Sequence, residues 1–354
     1  VGEVDQVQSR PTQRARTERV LQFVTENHSK VKIRAFMKKE AYVGTNDPRN
    51  ISQVPTDHTL KLSGYTYAFK EAVLKTQDWY APCKTPSEIA ERVTEVAMSS
   101  DEIAETDYGR FDGTISEWLR RHVERAAYLA WAASDEKGGL GSLLAAEYRA
   151  RGRTKQGVEY DAGFGRLSGS PLTTDGNTLV NAFVSYAAGR LAGNGPDKAW
   201  EGLGVYAGDD GLTKVSKSWM EVAASDLGLK LECEIRRRGD PTQFLARCFI
   251  DPWTTPGSIQ DPVRTIKKLH ISFAPVDVPD EVALYNRASG YLELDPGAPI
   301  VSNWCRKALS GMDASVTSRA EACLDKCRLD RPYFLTGWPQ ADWTGAVGVV
   351  AMKL

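Results

Sequence analysis

Residues 205–213, VYAGDDGLT, set two adjacent aspartates at the turn between two short apolar runs. This pattern constrains the fold first, because it predicts a strand, a tight turn and a returning strand between Gly202 and Lys214. Like charges side by side repel each other. A solvated turn tolerates them at little cost, whereas a cation shared between carboxylates would give a reason for putting them there. The remainder of the chain has to decide between these readings.

Around the hairpin, helical and extended patterns alternate. Residues 12–27 and 86–98 show helical apolar spacing, the second opening at Pro86-Ser87, and residues 30–70 are irregular. Thr114 followed by Glu117 predicts a capping box that opens a long helix to about Ala133. After the loop LSGSPLTTDGN, residues Leu179, Phe183 and Tyr186 recur at helical spacing. Ser216–Leu227 predicts a helix closed by Gly228. Leu229, Leu231, Cys233 and Ile235 then alternate with Lys230, Glu232 and Glu234, as in a half-buried strand. TQFLARCFI predicts one further strand, and helices follow near 279–290, 300–310 and 317–328. Such interleaving implies an α+β architecture in which an antiparallel sheet is backed by helices.

With 354 residues, 42% apolar and 26% charged, the chain is long enough for two or three lobes around packed cores. Lys and Arg number 45 against 46 Asp and Glu, so the net charge of −1 gives no overall attraction to a polyanion. The cations are nonetheless clustered, at Arg10–Arg19, Lys30–Lys39, Arg149–Lys155, Arg236–Arg238 and Arg264–Lys268. Any one run fits a solvated face; several together can line a cationic groove. The six cysteines include one close pair, Cys323 and Cys327, with no histidine at zinc spacing, which implies a reducing compartment. No apolar run reaches the ~20 residues of a membrane span. The start at Val1 without a methionine suggests a piece of a longer protein.

Two further acidic positions bear on the hairpin. Asp107 ends a predicted strand and Asp112 follows it, so if that strand lies beside the hairpin, Asp107 and Asp209 can share divalent cations. The intervening loop offers Ser168-Gly169, then Thr173, then Asn177 on the first turn of a helix, where an amide can meet a hydroxyl. Taken alone, that loop fits an ordinary cap by Thr174 or Asp175 equally well.

Asp-x4-Asp, Ser-Gly-x3-Thr-x3-Asn and Gly-Asp-Asp, in that order, resemble motifs A, B and C of the RNA-dependent RNA polymerases of positive-strand RNA viruses. Intervals of 61 residues from Asp107 to Ser168 and 41 from Ser168 to Asp209 suit that arrangement. FDGTIS after the first motif and MKKEAYVGTNDPRNIS upstream are most similar to nodavirus-type replicases. The resemblance covers roughly Lys38 to Arg247, with an echo in PVRTIKKL, and a motif G is not identifiable. Ala207, two positions before Asp209, differs from the aromatic residue of reverse transcriptases.

The resemblance implies a right-hand polymerase fold, with fingers at 1–98, palm at 99–130, a fingers insertion at 131–167, palm again at 168–250 and thumb at 251–354. It implies two Mg²⁺ or Mn²⁺ ions on Asp107 and Asp209, with Asp210 as the supporting acid. Asp112 and Asn177 would read the ribose 2′-hydroxyl, assisted by Ser168, Gly169 and Thr173, while Lys38, Lys39 and Arg49 would face the triphosphate. Lys230 resembles a proton donor to pyrophosphate, though a solvent-facing lysine fits the same position. Arg247 resembles a primer grip, though an arginine on an exposed strand face would look alike. Implied partners are template and nascent RNA, NTPs, and other replicase domains or further copies of the chain. The implied location is the host cytoplasm, in a membrane-associated replication complex reached through regions outside this chain. Two competing readings are an RNA-binding scaffold without chemistry and a metal-dependent nuclease; the second has no need of the Ser168 loop or of triphosphate-facing cations.

Overall fold

A computed structural model describes residues 4, 11–21, 24, 31–38, 40, 47–272, 274, 276–323 and 337–341. Its strands are β1 Lys32–Met37, β2 Asn50–Gln53, β3 Glu102–Tyr108, β4 Arg151–Thr154, β5 Glu159–Asp161, β6 Val205–Ala207, β7 Asp210–Thr213, β8 Leu231–Arg237, β9 Thr242–Phe244, β10 Arg247–Phe249 and β11 Ser258–Gln260. Two compact units divide the chain. One comprises Val1–Lys38, Asp47–Cys83 and Thr106–Glu234; the other comprises Lys39–Asn46, Lys84–Glu105 and Ile235–Leu354. No helix among the described residues is long and apolar enough to cross a membrane.

In the first unit, strands run in the order β2-β1-β4-β5, with β1 antiparallel to β2 and parallel to β4. The region read as irregular is therefore largely ordered. Ile33 and Ala35 turn inward on β1 and Lys32 and Arg34 outward, and Ile33 packs with Val31, Val54, Ala150 and Leu167. A second sheet has the order β6-β7-β3-β8, which sets the aspartate hairpin directly beside the strand ending near Asp107. The helix Thr173–Leu191 is this unit's organising element. Its Val180, Val184 and Ala188 share a core with Tyr108, Phe111, Leu119, Met220 and Leu229. Leu179, Phe183 and Tyr186, the stripe seen in the sequence, are only half-buried.

The expected capping box at Thr114 does not form. Arg110 adopts a left-handed φ of 56°, turning the chain into a short helix, Phe111–Thr114, that Thr114 ends rather than begins. The next helix is capped by Ser116, whose hydroxyl accepts from the Leu119 N–H at 3.3 Å. It reaches Trp131 through a π-helical stretch, Arg120–Arg125, and a second π-helical stretch, Lys70–Leu74, extends Thr56–Phe69.

A charged network lies buried in this unit. Glu147 accepts from the Ser170 hydroxyl at 2.5 Å, contacts His58 Nε2 at 3.3 Å and faces Arg120 at 3.7 Å. Burial alone would raise its carboxyl, but the His58 hydrogen bond and the Arg120 charge hold it below the usual glutamate range. A carboxyl lowered by folding stabilises the native state above the unfolded value, about 4.3, and that contribution disappears as pH falls through the folded value. Glu147→Gln is therefore expected to cost about 1–3 kcal/mol at pH 7. Melts from pH 7 to pH 3 should show the gap to wild type closing below about pH 4; a constant gap would contradict a charged Glu147.

The second unit contains the sheet β11-β10-β9, both neighbours antiparallel to β10. TQFLARCFI is thus two strands, not one. Leu245 and Ala246 take left-handed φ values of 52° and 58° to make the turn. Pro86–Met98 carries a capping box in which the Thr85 hydroxyl accepts from the Glu88 N–H and the Glu88 carboxylate accepts from the Thr85 N–H. Helices Asp280–Leu294 and Val301–Ser310 follow near the expected places, and Ala314–Ala322 overlaps the start of the expected 317–328, whose residues 324–328 lie outside the described residues; their packing buries Ala288, Val301, Cys305, Val282 and Ala320. Cys83, Cys233, Cys248, Cys305 and Cys323 are not joined in disulfides; Cys327 lies outside the described residues.

Candidate active site

The aspartate hairpin is held in shape by one face of the Thr173–Leu191 helix. β6 and β7 pair antiparallel with Ala207 opposite Asp210, so Gly208 and Asp209 form a two-residue turn with Gly208 at φ 66°. The Gly208 N–H donates to the Thr178 hydroxyl at 2.8 Å. Asn181 Nδ2 lies 3.1–3.2 Å from the carbonyl oxygens of Gly208, Asp209 and Asp210, and its Oδ1 accepts from the Tyr108 hydroxyl. One turn further on, Ser185 meets Thr213 at 3.0 Å. Sequence reasoning missed these residues. Their signal was the polar spacing Asn177, Asn181, Ser185, one helical face at four-residue intervals. Asn181→Ala is expected to destabilise by about 1–3 kcal/mol by stripping carbonyls of their donor. It should also slow any chemistry at Asp209 about tenfold or more through turn misplacement. Melting curves and turnover on the same preparation check both.

The charge of Asp107 acts on the Asp209 carboxyl. Partial burial pushes the Asp209 carboxyl above the usual aspartate range; a hydrogen bond from its own N–H opposes this, Asp107's charge adds to the rise and Arg49's lowers it. Two coupled carboxylates with hard oxygen donors fit a divalent cation, which needs only one or two protein carboxylates. Asp210 opens β7, opposite Ala207 on β6. No group of three or more His, Cys, Asp or Glu that could hold a metal ion occurs among the described residues.

Asp112 and Asn177, 65 positions apart, are in contact. Asn177 Nδ2 donates to Asp112 Oδ1 at 2.8 Å. Ser168 and Gly169 instead engage the chain after the expected triphosphate-facing cations: the Ser168 hydroxyl accepts from the Ser52 N–H at 3.0 Å, and the Gly169 N–H donates to the Ser52 carbonyl at 3.1 Å. A Cβ at position 169 would collide with that carbonyl, so glycine here serves backbone packing on β2. The Thr173 hydroxyl closes the loop onto the carbonyls of Leu167 and Ser170, both at 2.8 Å.

Among the expected cations, Arg49 lies within electrostatic reach of Asp209, and its carbonyl accepts from the Lys38 N–H at 2.9 Å. Lys39 lies outside the described residues. Lys230 is exposed, just ahead of β8, and its carbonyl accepts from the Gly109 N–H two residues beyond Asp107. Arg247 requires correction. Every residue of β10 is buried, and the Arg247 guanidinium is locked on Asp295 at 2.7 and 2.8 Å, on Ser258, and over the Trp338 ring at 4.7 Å. A guanidinium so enclosed is held within the second unit and is not displayed on an exposed strand face.

No family model matches the chain. Individual relatives do. It is 42% identical to the RNA-directed RNA polymerase of striped jack nervous necrosis virus, over 99% of this chain and 36% of that protein. It is 40% identical to the corresponding protein of Pariacoto virus, over 86% of this chain and 32% of that one. The chain therefore spans about a third of the length of the curated relatives it matches. Among solved structures, an insertion-loop deletion mutant of a human picobirnavirus RNA-dependent RNA polymerase superposes with a TM-score of 0.67, covering 91% of this chain and 64% of that one at 14% identity. The fold is accordingly the right-hand polymerase fold, and by its sequence the chain belongs to the viral RNA-directed RNA polymerases of nodavirus type.

Proposed function

We propose that this chain is the nucleotidyl-transfer core of a polymerase that copies viral RNA from an RNA template. The observation that carries the reading is the placing of Asp107, near the end of β3, beside the β6–β7 hairpin whose turn holds Asp209, with Arg49 within reach of the second acid. Asp107 and Asp209 would hold two Mg²⁺ or Mn²⁺ ions, with Asp210 in a supporting place beside them. Bound there, divalent ions would neutralise the carboxylates, activate the 3′-hydroxyl and offset charge on the leaving pyrophosphate. Arg49, Lys38 and Lys39 orient the triphosphate for in-line attack, and exposed Lys230 supplies a proton to pyrophosphate. Asp112 as acceptor and Asn177 as donor bind the ribose 2′-hydroxyl, which separates RNA from DNA precursors.

In this reading residues 1–98 and 131–167 form fingers, 99–130 and 168–250 the palm, and 251–354 the thumb. Partners are template and product RNA, NTPs, and other replicase domains or further copies of the chain. Its place is a membrane-associated replication complex in the host cytoplasm, tethered by regions outside this chain. The test is incorporation of labelled NTPs on a short single-stranded RNA, with and without primer, in Mg²⁺ or Mn²⁺. Product that requires template, NTPs and divalent ion together supports a polymerase. RNA binding without synthesis would make the chain a scaffold, and shortened RNA would make it a nuclease.

A further inference from the structure

Arg166, two residues before the Ser168 loop, is fully buried, and every polar atom of its guanidinium is engaged. Nε donates to Asn177 Oδ1 at 2.9 Å, Nη1 donates to Glu124 Oε2 at 2.9 Å, and Nη2 donates to Glu124 Oε1. Its backbone N–H donates to the Asp112 carbonyl at 2.7 Å. One residue thus binds both members of the Asp112–Asn177 pair.

The second layer is built to hold that arginine. Glu124 also accepts from Arg120 Nη1 at 3.3 Å, and Arg120 anchors itself on the carbonyls of Phe164 and Gly165, both at 3.1 Å. Arg120 and Glu124 both lie on the π-helical stretch Arg120–Arg125, an irregularity that recurs at functional sites. On the facing helix, a Cβ at Gly176 would come within 2.7 Å of the guanidinium, so only glycine leaves its space open. Burying two such ions costs desolvation that an apolar pair of similar size avoids, so stability alone does not explain the arrangement.

Its geometric consequence is definite. With Oδ1 pinned by Arg166, the Asn177 amide cannot flip, and its NH₂ stays turned to Asp112 with one hydrogen left to donate. We propose that Arg166 is a positioning residue for sugar selection. It fixes the Asn177 donor and the Asp112 acceptor as one rigid pair for the ribose 2′-hydroxyl. This rests on the polymerase reading only in taking a ribonucleotide as the ligand.

Arg166→Ala would leave the buried Glu124 with Arg120 as its one remaining cation among the described residues and is expected to destabilise the unit strongly, so the test uses Arg166→Met with Glu124→Leu, and separately Arg166→Lys, each checked by circular dichroism and melting. Two ratios are measured: incorporation efficiency of ATP over 2′-dATP, and binding affinity for ATP over 2′-dATP. Wild type should favour ATP in both. A folded variant should lose at least about tenfold of that preference, through a weaker response to ATP with 2′-dATP unchanged. A folded variant that keeps the wild-type ratios overturns the proposal. So does a wild type that shows no ribose preference in binding. If wild type fails to polymerise yet its ribose preference in binding vanishes in the variants, the polymerase reading fails and the role of Arg166 stands.

Discussion

Asp209→Ala is expected to lower template-directed RNA synthesis at least a hundredfold or so while leaving the fold intact. Charge stabilisation by a cation on carboxylates is worth several kcal/mol, and each ~1.4 kcal/mol is tenfold in rate. The stability expectation has the opposite sign. Partial burial disfavours the Asp209 charge and Asp107 adds to the penalty, so removing the carboxyl relieves a cost of folding. Without divalent ion, the variant should melt at or slightly above the wild-type temperature. Added Mg²⁺ or Mn²⁺ should raise the melting temperature of wild type only, because ligand binding to the native state stabilises it by mass action. A merely solvated turn would leave synthesis, melting and the metal response unchanged, and that outcome would dismiss a metal at the hairpin. The cost of placing a carboxylate at this turn is thus measurable directly.

What was legible in the sequence follows from what is local. The hairpin, the glycine that closes the helix at Gly228 and the alternation through Cys233 rest on turn chemistry and period-two burial, which a few residues determine. The Asp112–Asn177 pair, though distant in sequence, was anticipated from the resemblance in motif spacing. Arg166 and Asn181 had no such local mark. Their importance comes from groups 42 and 28 residues away in sequence, Glu124 and the Asp209 carbonyl, and an arginine in a loop or an asparagine in a helix looks ordinary until those partners arrive. The Leu245-Ala246 turn was hidden because neither residue is a usual left-handed residue. Tertiary packing overrode the Thr114 box by giving Thr114 to the preceding turn, where its hydroxyl donates to the Phe111 carbonyl at 3.0 Å.

Arg247 shows how far the same residue type can differ in consequence once its surroundings are known. Asp295 follows the Asp280–Leu294 helix, is completely buried, and accepts from both Arg247 nitrogens, from the Gln260 N–H at 3.0 Å and from Gln340 Nε2 at 3.2 Å. One carboxylate therefore joins β10, β11 and a helix end. Asp295→Ala is expected to cost about 3–5 kcal/mol, because it leaves the guanidinium buried with only Ser258 and the Trp338 ring. In a thermal melt this should appear as a fall of about 6 °C or more. Replacing both partners, Arg247→Met with Asp295→Leu, should recover most of the loss, since an apolar pair carries no stranded charge. That double variant also separates the two roles considered for Arg247. A structural cation predicts unchanged affinity for a primed RNA duplex once folding is restored. A weakened affinity in a well-folded double variant would return Arg247 to the RNA.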